Sequence, residues 1–258
     1  MDHVRETRFD AVVLAGGRAR RLGGADKPAA RVGGRSLLAR VADAAADAGR
    51  LVVVGPARPD VPHARVVRED PPGGGPVPAL RAGLAALPAP PPATPPATPP
   101  ATPPDGLSAT PPGPPPAAPP GPPPAAPPGP LAAAPPGGPS GTPAGGPAAG
   151  ARWTAVLAAD LPFLRAAHLG ALLDAAERNG TGAVLVDADG REQWLAGCWN
   201  TDALRTALDA YQGASLRGLL GPLRPAAVAL PAGDGPPWFD CDTPEDLTRA
   251  RTLWPGRA

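Results

Sequence analysis

Four cations stand close together near the start of the chain, directly after an apolar segment. Residues 10–15 are mostly apolar and β-branched without polar alternation, which predicts a short buried strand. The loop after it opens with Gly16 and Gly17 and carries Arg18, Arg20, Arg21 and Lys27. Glycine-rich turns bring backbone N–H groups close to phosphate oxygens, and fixed cations add charge. The spacing fits neither GxGxxG nor Walker A. Two glycine pairs, Gly16-Gly17 and Gly23-Gly24, bracket the arginines, and a triphosphate is long enough to use the whole loop; a solvated basic loop is the alternative.

Carboxylates at the ends of two other apolar segments are candidate metal ligands. Asp160 ends the predicted strand 153–160, and Asp240 and Asp242 flank Cys241 in a predicted strand at 236–242. A carboxylate is costly to bury unpaired, and Mg²⁺ is held by one or two carboxylates together with phosphate oxygens. Strand alternation would place both later aspartates on one face, so either can complete a site with Asp160. The alternatives are helix caps at Asp160 and at Asp242-Thr243.

The segment QWLAGCW offers an aromatic surface for a second substrate. As a strand it would direct Trp194 and Trp199 to opposite faces, so at most one of them lines a pocket while the other packs in the core. A flat heteroaromatic ring stacks well on indole. Trp194 is the candidate for this contact, and Cys198 and Cys241 are expected to be reduced, partly buried thiols.

Strand and helix patterns alternate outside the proline-rich middle of the chain. We predict helices at 36–49 (Ser36 as N-cap, Gly49 as stop), 77–87, 166–180 and 200–211, and a last helix with Thr243 as N-cap. Strands are predicted at 50–55, 64–67 and 225–231, and on both sides of an Asp189-Gly190 turn. This alternation indicates a three-layer α/β fold with a mostly parallel, Rossmann-like sheet and helices on both faces. Such sheets bind ligands beyond the carboxyl ends of their strands.

Residues 88–150 cannot form a packed core. They hold 28 of the 44 prolines and one charged residue, Asp105, in local repeats of PPAT and GPPPAAPP. We expect polyproline II and coil here, as an inert spacer or as a ligand for a proline-recognising partner. Residues 1–87 and 151–258 are then expected to form a single domain, with the two ends of the insert close together because helix–strand connections are short.

Charge and hydropathy exclude several function classes. The formal net charge of +1 gives no reason to expect nucleic acid as a partner. The first residues lack an apolar signal region, and no run is long enough to span a membrane. The expectation is therefore a soluble cytoplasmic protein that acts on small molecules.

The segment LAGGRARRLGGADKP, residues 14–28, resembles the signature of MobA-type nucleotidyltransferases, the molybdenum cofactor guanylyltransferases. In that family LAGG is followed by three variable residues, Arg, Leu or Met, Gly, and a later Lys, positions occupied here by Arg21, Leu22, Gly23 and Lys27. REDPPGGGP, LAADLPFL and FDCDTPEDL resemble later family segments in the same order. The resemblance covers residues 9–87 and 151–254.

The resemblance implies roles for individual residues. Nucleotide contacts fall to Lys27, Asp70, Asp160 and the loop residues Leu14, Ala15, Gly16 and Gly17, and metal binding falls to Asp160. Lys27 and Arg21 would neutralise the phosphates, and Asp70 would contact guanine. Where the family's second strand can end on an Asn that touches the nucleotide, this chain has Gly55, which weakens the expectation of guanine selectivity.

The reaction implied is Mg²⁺-dependent transfer of GMP from GTP to the terminal phosphate of molybdopterin or molybdenum cofactor, with release of pyrophosphate. Lys27, Arg21 and Asp160 would be catalytic, acting by positioning and charge neutralisation. The alternatives are cytidylyl transfer to the same cofactor, nucleotidyl transfer to another phosphorylated small molecule, and an inactive binding or scaffold module that uses its proline-rich insert.

Overall fold

The computed structural model describes residues 9–16, 26–89 and 150–254. Within these ranges seven strands form one sheet, in the order β5-β4-β1-β6-β8-β7-β9. They are β1 (Phe9–Leu14), β4 (Leu51–Val54), β5 (Arg65–Val67), β6 (Trp153–Ala158), β7 (Gly182–Val186), β8 (Glu192–Asn200) and β9 (Ala226–Ala229). Strand β8 runs antiparallel to both of its neighbours, while the other paired strands are parallel. A separate small hairpin joins β2 (Arg31–Val32) and β3 (Arg35–Ser36).

Helices cover both faces of the sheet, as predicted. In the same ranges the helices are α1 (Leu37–Ala44), α2 (Pro76–Ala85), α3 (Ala166–Asn179), α4 (Thr201–Ala210), α5 (Leu216–Leu220) and α6 (Pro244–Leu253). Alternate residues of β1 enter two separate apolar layers: Ala11 and Val13 pack with α1 and α3, and Val12 and Leu14 pack with α2, α4 and α5. The three-layer, mostly parallel α/β fold is therefore confirmed, because a strand covered on both faces must be apolar throughout.

Two predicted elements differ from what the structure shows. The helix that begins after Ser36 ends at Ala44, well before Gly49, in a turn whose N–H groups return to the last carbonyls of α1. Residues 236–242, expected as a strand, have irregular backbone. Pro236 and Pro237 lack the N–H groups that a ladder needs, and the segment is instead joined to the end of β6 by one bond, from Cys241 N–H to the Asp160 carbonyl at 3.3 Å.

The prediction that Trp194 and Trp199 face opposite sides of the sheet is wrong. Val184 of β7 pairs with Gly197, but the next residue, Leu185, pairs with Gln193, so β8 bulges between these two pairs. A bulge changes the face to which the following side chains point. Both indoles therefore pack in the layer of α4 and α5, stacked with ring centroids 6.4 Å apart.

The two ends of the proline-rich block adjoin, as predicted. The N–H of Gly150 donates to the carbonyl oxygen of Ala89 at 2.9 Å. The rest of that block, residues 90–149, lies outside the described residues. Among the helices that the structure does describe, none has the length and apolar character needed to cross a bilayer.

Candidate active site

The predicted site residues follow strands whose carboxyl ends share one edge of the sheet. Leu14, the last residue of β1, pairs with Val54 at the end of β4 and with Ala158 at the end of β6. The chain after each strand therefore emerges at the same edge. This edge receives Gly16 after β1 and Asp160 after β6, as the sequence predicted.

Lys27 lies between two carboxylates at this edge. It begins a single 3-10 turn, Lys27–Ala29, and its Nζ donates to Asp242 Oδ1 at 2.5 Å and forms an ion pair with Asp160. The side chains of Lys27 and Asp160 are only 17% and 16% exposed. Burial opposes the ammonium charge, but the charges and hydrogen bonds of Asp160 and Asp242 outweigh it, so the pKa of Lys27 lies above its ordinary value. Lys27 is thus a fixed positive charge at this edge of the sheet.

The residue before Lys27 is anchored by a buried arginine that sequence reasoning missed. Asp26 forms an ion pair with Arg58, whose side chain is 9% exposed. Arg58 follows β4, and its neighbour Asp60 forms a hydrogen bond with Ser36, the N-cap of α1. Burial lowers the pKa of Arg58, and Asp60 partly offsets this. These contacts tie the start of the lysine turn to the chain beyond β4.

Thr243, rather than Asp242, caps α6. Thr243 accepts from the N–H of Asp246, and Asp246 accepts in return from the N–H and hydroxyl of Thr243. This reciprocal capping box satisfies the helix start, and the carboxylate of Asp242 is therefore available to Lys27. The prediction that Thr243 is the N-cap of this helix is confirmed, and the preceding Asp242 contacts Lys27. Metal binding by Asp242 stays a prediction.

Asp240 and Cys241 complete the carboxylate-rich side of the site. Desolvation by the surrounding protein, followed by the nearby charges of Asp242 and Asp160, raises the pKa of Asp240 above its ordinary value, although the residue keeps contact with solvent. Burial and the charge of Asp160 raise the pKa of the Cys241 thiol to about 12. Cys241 and Cys198 are both buried, unbridged thiols, as expected.

The chemistry of these residues fits a divalent cation. Asp160 Oδ1 is buried and has no hydrogen-bond partner among the residues described. An anionic oxygen in that position calls for a cation, and carboxylate oxygens are the ligands that Mg²⁺ takes from proteins. Within 9–16, 26–89 and 150–254 no three His, Cys, Asp or Glu side chains converge to enclose an ion. Mg²⁺ characteristically binds through one or two carboxylates and takes its other ligands from phosphate and water.

Glu69, not Asp70, is the acidic residue of REDPPGGGP that faces the first glycine loop. Glu69 is 8% exposed, and its Oε1 accepts the N–H of Gly73 at 3.0 Å. A Cβ placed on Gly16 would lie 3.4 Å from the same oxygen, so the carboxylate connects the loop after β1 with the loop before α2. Asp70 is exposed. The sequence showed two adjacent acidic residues, Glu69 and Asp70, at this point. The choice of Asp70 over Glu69 rested on the family resemblance alone.

Gly55 brings the end of β4 against the first glycine loop. Its φ is +154°, and a Cβ there would lie 2.9 Å from the carbonyl carbon and oxygen of Ala15. Any side chain, asparagine included, would collide with backbone at this position. Gly55, where the chain departs from the family pattern, therefore lets the backbone of β4 lie this close to Ala15.

The structure brings together Leu14, Ala15, Gly16, Lys27 and Asp160. The Lys27 ammonium lies between two carboxylates, those of Asp160 and Asp242. Gly17 and Arg21 lie outside the described residues, as do Arg18 and Arg20. Trp194, half-buried in β8, lines a separate cavity.

The chain is similar to known proteins over most of its length. The model of a family described as the MobA-like NTP transferase domain matches residues 11–104 and 114–228. A probable molybdenum cofactor guanylyltransferase of Opitutus terrae is 53% identical over 60 residues, which are 23% of this chain and 29% of that protein. The alignment thus spans less than a third of that relative's length.

Solved structures show the same fold at low sequence identity. A 2-C-methyl-D-erythritol 4-phosphate cytidylyltransferase from Thermus thermophilus superposes with a TM-score of 0.55 at 17% identity, covering 95% of this chain and 98% of that one. Molybdopterin-guanine dinucleotide biosynthesis protein A from Archaeoglobus fulgidus superposes with a TM-score of 0.54 at 15% identity, covering 95% and 97%.

Proposed function

Because the chain belongs to the MobA-like NTP transferase family, we propose that it transfers GMP from GTP to the terminal phosphate of molybdopterin or molybdenum cofactor and releases pyrophosphate. The observation that carries this proposal is Lys27, held by Asp160 and Asp242 at the carboxyl edge of the sheet. A buried ammonium flanked by carboxylates at this edge suits triphosphate and its accompanying cation. The similarity to a guanylyltransferase supports the choice of nucleotide and acceptor.

The reaction needs no covalently modified residue. An oxygen of the acceptor's terminal phosphate attacks the α-phosphorus of GTP; a new P–O bond forms, the α–β bridging bond breaks, and its electron pair leaves on pyrophosphate. Lys27 donates to phosphate oxygens on which charge accumulates, and Arg21 makes bidentate contacts with them. The backbone N–H groups at Gly16 and Gly17 orient the phosphates, and close positioning supplies much of the acceleration.

Asp160, with Asp240 or Asp242, would hold Mg²⁺. The Oδ1 of Asp160, which has no hydrogen-bond partner among the described residues, and the raised pKa of Asp240 beside two other carboxylates support this assignment. The ion, when bound, neutralises charge on the phosphate oxygens. Asp160 and Asp242 would then give up part of their interaction with Lys27, which leaves the ammonium free to meet phosphate.

Asp70 would select the base. A carboxylate accepts two parallel hydrogen bonds from the N1–H and the exocyclic amine of guanine, a donor pair that adenine and cytosine lack. Glu69 would position the loop that presents Asp70, because it accepts from Gly73 within that loop.

A nucleotide panel tests the proposal. Pyrophosphate release is measured for each of four NTPs with Mg²⁺ and molybdenum cofactor, with the Lys27→Ala variant as the blank. We expect release with GTP at a kcat/KM at least about tenfold above the other nucleotides, the value of one well-placed pair of hydrogen bonds. Equal or better use of CTP would contradict guanylyl transfer.

Cytidylyl transfer is the second candidate, and two observations favour it. The fold is shared with a cytidylyltransferase, and Gly55 leaves no side chain at a position where the family can contact the nucleotide. If no nucleotide reacts with folded protein, the remaining interpretation is a binding module, and capture of partners by the isolated 88–150 segment would support it.

A further inference from the structure

Helix α6 joins the two sides of the lysine site through the β2–β3 hairpin. The helix begins two residues after Asp242, which contacts Lys27. Near its other end, Arg251 Nε donates to the carbonyl oxygen of Arg31 at 2.9 Å, and Arg31 starts the hairpin that follows the Lys27 turn. Its ten residues span about 15 Å at 1.5 Å per residue. Contacts at both ends of α6 therefore close a ring of the Lys27 turn, the hairpin, the helix and Asp242.

A buried arginine supports the end of this ring that lies far from Lys27. Arg40 of α1 is 8% exposed. Its Nε donates to the carbonyl oxygen of Val32 at 2.7 Å, and its Nη2 donates to that of Gly33 at 3.0 Å. Its Cζ lies 3.5 Å from the centroid of the Trp254 ring, directly after α6. A cation buried in this way depends on such partners, so Arg40 fixes both the hairpin and the end of α6.

Gly33 allows the hairpin to approach Arg40 and Trp254 this closely. Its φ is +55°, in the left-handed region that glycine adopts readily. A Cβ placed on Gly33 would collide with the indole of Trp254 and with the guanidinium of Arg40. The turn of the hairpin is thus built to lie against this cation–indole pair.

The indole of Trp254 also leads to the segments that carry the carboxylates. It stacks on Phe163 with ring centroids 6.0 Å apart and an interplanar angle of 19°. Phe163 meets the ring of Phe239 edge-on, at 5.8 Å and 71°. We call these three rings the aromatic stack. Phe163 lies three residues after Asp160, and Phe239 directly precedes Asp240, so the stack joins both carboxylate-bearing segments.

The aromatic stack belongs to a small apolar cluster that is separate from the two layers on the sheet. Its buried members come from the hairpin, α1, the two carboxylate-bearing segments and α6: Val32, Leu37, Phe163, Cys241 and Ala250. Ala30, three residues after Lys27, packs against them together with Phe239 and Trp254. In so small a cluster each ring contributes a large part of the packing, and the separation of Lys27 from its carboxylates depends on that packing.

We propose that Arg40 and Trp254 are positioning residues, which hold the Lys27 turn and the segment of Asp240 and Asp242 at the separation where one ammonium meets two carboxylates. Arg40 acts through the hairpin, and Trp254 acts through the aromatic stack. The value of this geometry for catalysis rests on the proposed function. The geometry itself exists in the free protein and can be measured there.

The chain's only lysine makes this measurement specific. Lys27 is the single lysine in the sequence, and its side chain is 17% exposed. Its acetylation by an N-hydroxysuccinimide ester is followed in the full chain by peptide mass spectrometry, which separates it from the N-terminal amine. We expect Trp254→Ala and Arg40→Gln each to accelerate acetylation of Lys27 at least about tenfold, the scale of losing a desolvated cation–π contact and a stacked ring. Trp254→Phe, which keeps a ring between Arg40 and Phe163, should return the rate to within about threefold of the parent chain.

The matched control is Trp153→Leu. Trp153 is also buried and has a guanidinium over its ring, with Arg152 Cζ at 5.8 Å from the centroid. It begins β6, at the opposite end of that strand from Asp160. We expect this variant to lower the free energy of unfolding, measured by denaturant titration, and to leave acetylation of Lys27 within about twofold. If Trp254→Ala does not fold, Arg40→Gln decides the outcome.

The outcomes separate positioning from general stability and from the proposed function. Equal acetylation rates in the parent chain, Trp254→Ala and Arg40→Gln overturn the proposal, as does equal acceleration in Trp153→Leu. In pyrophosphate release with GTP, Trp254→Ala should lower kcat about tenfold, with recovery in Trp254→Phe. An unchanged kcat despite faster acetylation would overturn the positioning role. If the parent chain releases no pyrophosphate while acetylation responds as expected, the proposed function fails and the positioning of Lys27 stands.

Discussion

The backbone N–H of Gly150 donates a hydrogen bond to the carbonyl oxygen of Ala89, 2.9 Å away, and so closes the point at which residues 90–149 leave and re-enter the domain. Arg205 reinforces this closure, because its guanidinium donates to the carbonyls of Leu84, Leu87 and Pro88 at the end of the preceding helix. Ala89 and Gly150 are therefore close enough for a short loop to join them.

Replacement of residues 90–149 by a short Gly/Ser loop should therefore leave the domain folded and the pyrophosphate-release rate unchanged. Closing a loop of about six residues rather than about 60 costs roughly 2 kcal/mol less conformational entropy. The free energy of unfolding, measured by denaturant titration, should stay the same or increase. Loss of the fold, or loss of turnover in a folded protein, would show that the insert is part of the enzyme.

Lys27→Ala should lower kcat/KM at least about a hundredfold, the scale of removing a group that stabilises charge in the transition state. The control is Arg35→Ala, which removes an exposed ion pair with Asp43 and should leave turnover nearly unchanged. Circular dichroism checks that both variants are folded. A folded Lys27→Ala protein with the activity of the parent chain would remove Lys27 from the mechanism.

Asp160→Asn should abolish Mg²⁺-dependent activity and preserve the fold, because the amide keeps the shape and an acceptor for Lys27 but loses the hard anionic ligand. Activity is measured across a Mg²⁺ titration, with Asp240→Asn and Asp242→Asn in parallel. The variant of these two that requires more Mg²⁺ identifies the second ligand. Full activity of Asp160→Asn at ordinary Mg²⁺ would place the ion elsewhere.

Glu69 and Asp70 should have separable effects on the nucleotide. Glu69→Ala frees the N–H of Gly73, and loss of such a buried contact should raise the KM for every nucleotide about tenfold. Glu69→Gln should restore it, since the amide oxygen still accepts. Asp70→Asn should instead reduce the preference for GTP over ATP. A change of preference in Glu69→Gln, with none in Asp70→Asn, would transfer base recognition to Glu69.

His168 should make stability fall in mild acid. Its Nδ1 accepts the N–H of Arg165 at 3.2 Å at the start of α3, and burial and the charge of Arg165 lower its pKa below the ordinary 6.5. The unfolded chain therefore binds the proton more tightly than the folded protein does. The contribution of neutral His168 to the free energy of unfolding is complete above pH 6.5 and is lost as the pH falls through the lower folded pKa. His168→Gln keeps the acceptor, and its denaturation midpoint should change less between about pH 8 and about pH 5. Equal changes in both proteins would contradict this role.

Several elements were predictable because their causes are local. The apolar, β-branched run of β1 requires burial on both faces, and Ser36 and Thr243 satisfy helix N–H groups a few residues away. The parallel alternation and the close approach of the insert's ends follow from the same short-range rules of chain connection. The caps and chain connections depend mainly on residues that are close together in the sequence.

The sequence alone predicts the three-layer α/β fold, the strand edge that collects the site, and Lys27 and Asp160 as charged residues at that edge. The tertiary structure was needed to show that Lys27, rather than a helix start, takes the carboxylate of Asp242, that Glu69 faces Gly16, and that a bulge in β8 turns Trp194 onto the face of Trp199. The difference lies in the range of the forces involved. Propensity and capping act over a few residues, whereas these three arrangements depend on segments far apart in the chain, whose packing selects one side-chain direction among several that are locally equivalent.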